Sequence, residues 1–88
     1  MENRVFSIVN RLGLHARAAA AFVQTAGKFS SEIWVEKDDV EVNGKSIMGL
    51  MMLAAEKGSA INVRALGDDC VEAMNTLEEL VAKGFGEE

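Results

Sequence analysis

Ile33-Trp34-Val35-Glu36-Lys37-Asp38-Asp39-Val40-Glu41-Val42 reads as two short strands around a polar turn. Ile33 and Val35 alternate with Trp34, Val40 and Val42 alternate with Glu41, and Lys37-Asp38-Asp39 separates the runs. Alternation with a period of two puts one face of each strand toward a core, and a turn this short makes the pair an antiparallel hairpin. A hairpin cannot bury its apolar face alone, so the flanking sequence must supply the other layer.

Upstream, Ala16 to Ala26 joins the best helix former to an apolar stripe at Ala19, Phe22, Val23 and Ala26, and Gly27 marks the stop. Before it, Val5-Phe6-Ser7-Ile8-Val9 is a strand that enters a loop containing Gly13. Downstream, Ser46 to Leu53 forms a short helix, with Ser46 suited to cap it and a core stripe expected at Ile47, Leu50 and Leu53. Ile61, Val63 and Ala65 alternate as a fourth strand. Asp69 then precedes a helix with Val71, Met74, Leu77 and Val81 on one face. The order βαββαβα specifies an α+β fold, an open-faced β-sandwich with a four-stranded antiparallel sheet and three helices on one face. Residues 1–88 are expected to form a single domain.

Composition narrows the function. Fourteen acidic against nine basic residues give a net charge of −5, which disfavours a nucleic-acid surface. One cysteine, Cys70, and one histidine, His15, do not make a soft-ligand metal site or an internal disulfide. No apolar run approaches the roughly 18 residues needed to span a membrane, the lone cysteine fits a cytoplasmic chain, and 88 residues leave no cofactor expected. Gly44-Lys45-Ser46 imitates the end of a P-loop, but Asp39 stands where that motif needs glycine.

The remaining chemistry concentrates in Asn10-Arg11-Leu12-Gly13-Leu14-His15-Ala16-Arg17-Ala18-Ala19-Ala20-Ala21-Phe22-Val23. His15 falls at a helix start, where amide N–H groups without helical partners favour an anion, and Arg17 adds a planar fork of donors. The helix end is worth about 0.3 to 1 kcal/mol to a negative charge at an exposed site, enough to hold a phosphoryl group without trapping it. In the short helix, Met48, Met51 and Met52 exceed what a small core can bury and suit an adaptable partner surface. Glu87-Glu88 and Asp38-Asp39 read as solvated charge.

With these residues and Asn43-Gly44-Lys45-Ser46-Ile47-Met48-Gly49-Leu50-Met51-Met52-Leu53, the chain resembles the HPr family, the histidine phosphocarriers of the bacterial phosphotransferase system. The resemblance implies a carrier rather than an enzyme. It implies that His15 accepts a phosphoryl group on Nδ1 from the phosphohistidine of Enzyme I and passes it to an Enzyme IIA sugar-permease component. Arg17 would neutralise the phosphate beside the backbone N–H groups of Ala16 and Arg17. It further implies that Ser46 is the target of a regulatory HPr kinase/phosphorylase, with a transcription regulator as a further partner. Leu14, Ile47, Met48, Met51 and Met52 would contribute to one docking face, and the chain would act as a monomer.

The sequence departs from the family at Ala18, where proline usually follows the arginine; altered transfer rates rather than lost function are expected. Two alternatives stand beside the sugar-branch carrier. One is a nitrogen-branch carrier feeding a regulatory protein, and the other is an interaction module working through phosphorylated Ser46. A small-metabolite binder has little support, because no glycine-rich anion loop or convergent polar pocket is legible.

Overall fold

The computed structural model describes residues 1–87. Its elements run β1 (Glu2–Ser7), α1 (Ala16–Ala26), β2 (Glu32–Lys37), β3 (Val40–Asn43), α2 (Ile47–Met52), β4 (Ala60–Leu66) and α3 (Cys70–Ala82), followed by a closing turn at Gly84–Gly86. The four strands form one antiparallel sheet in the order β1-β4-β2-β3, and the helices cover the face that carries the buried apolar residues. This is the open-faced α+β sandwich expected from the alternation.

Register explains which residues reach the core. Val35 pairs with Val63 across β2 and β4, Ile33 with Ala65, and Phe6 with Ile61 across β1 and β4. All six are buried, as are Ala18, Ala19, Phe22 and Ala26 of α1 and Cys70, Ala73, Met74, Leu77 and Val81 of α3. Burying a Phe, Ile or Leu side chain is worth about 1.5–3 kcal/mol each, so this layer is the main source of cohesion. The β2–β3 turn is built from Asp38 and Asp39, both with positive φ (53° and 67°), the twist that a two-residue antiparallel hairpin prefers.

Several side chains depart from the sequence-based expectation. The first strand begins at Glu2 and ends at Ser7, and its inward set continues from Phe6 to Ile8 while Val5 and Val9 face solvent. Pairing with β4 selects that face; β-branched composition could not. Val71 is exposed and Ala73 takes the inward position on α3. Ile47 is also exposed, so the core stripe of α2 consists of Leu50 alone, with Leu53 buried just beyond the helix. A helix of six residues lying mainly against α1 has only one full turn of contact to offer.

Asp69 joins two distant parts of the chain. It stands before α3 but makes no side-chain cap. Its carboxylate instead accepts from the Ser31 hydroxyl (2.5 Å), the Ser30 amide (2.9 Å) and the Ser31 amide (3.0 Å), tying the entry of α3 to the entry of β2. These donors, the Ser31 hydroxyl foremost, hold the Asp69 carboxyl below its ordinary range. Unfolded Asp69 titrates at the higher value, so its contribution is complete above the ordinary carboxylate range and is lost as pH falls through the lowered value. Urea midpoints followed into acid should therefore fall more steeply for the parent chain than for Asp69→Asn; parallel curves would remove Asp69 from the acid response.

Candidate functional site

The loop that presents His15 is fastened on both sides. Ile8 donates to the Ser59 carbonyl (2.9 Å), and Leu14 donates to the Ala55 carbonyl (2.8 Å). Between them Asn10, only 2% exposed, donates from Nδ2 to the Gly13 carbonyl (2.8 Å). Gly13 has φ +68°, and its backbone passes so close to Ala55 that a Cβ would lie 2.4 Å from that carbonyl oxygen. Glycine is required there on both counts.

These fastenings place His15 at the N-cap of α1 with extended backbone (φ −76°, ψ 179°) and no side-chain cap, so the imidazole is not committed to the helix. Ala19 donates the first helical bond, to the His15 carbonyl (2.8 Å). The amides of Ala16, Arg17 and Ala18 therefore precede the helical ladder and belong to its positive end. Ala16 and Arg17 are exposed, while His15 is half-buried. Arg17 also borders a depression with Arg11, Leu12, Phe85, Gly86 and Glu87. The structure thus brings together His15, Ala16 and Arg17 as the sequence expected.

It also adds two residues that the sequence reading missed. Glu87 is not solvated charge: its Oε2 lies 2.5 Å from His15 Nε2, and its Oε1 accepts from Asn10 Nδ2 at 3.0 Å. The Asn10 amide, then His15 and the charge of Arg17, hold the Glu87 carboxyl below its usual range. Glu88, read together with it, lies outside the described residues. No local pattern announces a contact across 72 residues, and the only hint was Gly84-Phe85-Gly86, where two glycines flank an aromatic.

Leu14 requires a correction. It is 4% exposed and sits in the core, so its side chain offers no docking surface; Leu12, two residues earlier and 64% exposed, points outward instead. The sharp turn at Gly13 separates the two. On α2, which packs against α1, Ile47, Met48, Met51 and Met52 are all exposed, Met48 at 77%. Ser46 caps that helix, its Oγ accepting from the Gly49 amide (3.0 Å).

Ala18 is fully buried in the first turn of α1, where its N–H precedes the helical ladder. Proline there forfeits no helical bond and restricts the unfolded chain. Ala18→Pro should raise stability by about 0.4–1 kcal/mol, or roughly 2–8 °C in Tm by calorimetry. A lowered Tm would mean that the packed pocket rejects the ring.

A small sandwich that sets an imidazole at a helix start, two residues before an exposed arginine, is suited to holding an anionic group at its surface. A sequence model described as the PTS HPr component phosphorylation site matches residues 3–83. The phosphocarrier protein HPr of Neisseria meningitidis serogroup B is 55% identical over 87 residues, covering 99% of this chain and 98% of that one. The crystal structure of HPr-C-His from Thermoanaerobacter tengcongensis superposes with a TM-score of 0.96 at 53% identity, covering 100% of this chain and 99% of that one. A dimer of HPr from the same organism gives 0.79 at 53% identity, covering 99% and 100%. The chain belongs to the HPr family of phosphotransferase-system phosphocarriers.

Proposed function

We propose that this chain relays a phosphoryl group through His15, taking it on Nδ1 from phosphorylated Enzyme I and delivering it to an Enzyme IIA sugar-permease component. The observation that carries this reading is the placement of His15 at the N-cap of α1, free of any capping bond, with Arg17 exposed two residues on. Phosphoryl transfer needs positioning and charge stabilisation more than covalent help. The helix amides and Arg17 supply these without burying the group, so a second protein can collect it.

Leu12 and the outward residues of α2 furnish the apolar surface on which successive partners dock. Methionine suits this task, since its flexible, polarizable side chain adapts to unlike surfaces. A phosphate on Ser46 would set charge at the start of that same helix, beside Met48, and so weaken docking. The whole chain acts as a monomeric carrier in the cytoplasm.

Incubation with purified Enzyme I and phosphoenolpyruvate, followed by intact mass, tests the reading. One acid-labile phosphoryl adduct, discharged on adding Enzyme IIA, is expected. No adduct with a competent Enzyme I would overturn it.

A further inference from the structure

We propose that Glu87 is a positioning residue for the phosphoryl acceptor: it holds the proton of His15 on Nε2 and thereby leaves the Nδ1 lone pair to attack phosphorus. The inference rests on the carrier reading given above, but it concerns the state of the imidazole before any transfer.

Glu87 is fixed independently of His15. Gly84, Phe85 and Gly86 all adopt positive φ (64°, 60° and 79°), a tight reversal after α3 that tucks Phe85 into the core. The following residue is thereby directed back across the start of α1. There Asn10, itself buried, divides its two amide hydrogens between the Gly13 carbonyl and Glu87 Oε1. Its own Oδ1 has no partner among the described residues, a cost accepted in return for aiming both hydrogens. One carboxylate oxygen is therefore anchored to the loop that carries His15, and the other meets the ring.

The chemistry of that second contact determines the tautomer. An ionised carboxylate only accepts, so at 2.5 Å from Nε2 it requires that nitrogen to carry hydrogen. The partner of one ring nitrogen decides the role of the other, the same logic by which a carboxylate orients a metal-bound imidazole. In the transfer, the Nδ1 lone pair forms the new N–P bond while the bond from phosphorus to the donor nitrogen breaks and its electron pair returns to the donor. No proton leaves His15. The phosphorylated ring keeps its Nε2 hydrogen and gains positive character, which Glu87 neutralises from one side while Arg17 faces the phosphate.

The test uses the full chain with 15N-labelled histidine, above the imidazole titration range. Long-range 1H–15N spectra should show the parent protein as the Nε2–H tautomer. Glu87→Ala should move it toward the mixture of an unconstrained imidazole, slow phosphoryl uptake about tenfold, and allow some Nε2 adduct, resolved by 31P spectra. Glu87→Gln, whose single amide oxygen can accept from His15 or from Asn10 but not from both, should restore the tautomer only in part and the rate less. An unchanged tautomer ratio in a folded Glu87→Ala chain would overturn the proposal, as would unmodified rates with Nδ1 still the sole site. Should neither protein take up phosphate, the carrier reading falls, while the tautomer comparison still decides the role of Glu87.

Discussion

His15→Ala is expected to take up no acid-labile phosphoryl group from Enzyme I, a fall of at least about 10⁴-fold in transfer, while the chain stays folded. The two effects separate because of where the side chain sits. His15 caps α1 through its backbone only, is half-buried, and has no part in the apolar core. Alanine there removes the contact with Glu87 but leaves the fastenings at Leu14–Ala55 and Asn10–Gly13 in place. The mutant should therefore keep its cooperative unfolding transition. Intact mass under the conditions that charge the parent chain decides the matter: an acid-labile adduct surviving in His15→Ala would move the acceptor elsewhere. A Ser46-dependent interaction module, by contrast, would keep its partner in this mutant.

Gly13→Ala should be strongly damaging for so small a substitution, costing about 3 kcal/mol of unfolding free energy. About 1–2 kcal/mol follows from forcing alanine into the left-handed region. The rest follows from contact: the new Cβ would lie 2.4 Å from the Ala55 carbonyl oxygen and 2.8 Å from the Glu56 Cα, both backbone atoms. Neither can retreat cheaply, because Ala55 is held by the Leu14 amide. Gly58→Ala is the control, since Gly58 also has positive φ (93°) but no atom within 4 Å of an added Cβ. Urea unfolding of the pair should separate the conformational cost from the steric one, and equal losses would show that the approach to Ala55 is harmless. Phosphoryl uptake by Gly13→Ala should fall as well, as the loop carries His15.

Periodicity and turn chemistry were enough to find every strand and helix in order, because alternation and the 3.6-residue stripe are local properties of the chain, although the first strand begins at Glu2 rather than Val5. The hairpin around Asp38-Asp39 and the helix from Ala16 to Ala26 are clear cases. What the pattern left open or misplaced depended on three-dimensional pairing. Whether Val5 or Phe6 faces the core depends on the partner strand β4, and whether Ile47 is buried depends on how α2 lies against α1. At the candidate site, the proximity of His15, Ala16 and Arg17 was legible because they are neighbours in sequence. Leu14 was misplaced because a single left-handed glycine reverses which leucine points outward, and Glu87 was missed because its contact closes a loop of 72 residues.

The sheet order β1-β4-β2-β3 also governs the timing of assembly. β1 has one sheet neighbour, β4, so Ser7 must wait for Ala60 and Glu2 for Ala65. The bonds that shape the His15 loop run to Ala55 and Ser59, and Glu87 comes later still. On a ribosome, α1 and the β2–β3 hairpin emerge well before any of these acceptors, and distant pairings of this kind are slow to form. A nascent chain thus exposes His15 before the acceptors that shape its loop exist, and the loop takes its form only once Ala55 and Ser59 have emerged.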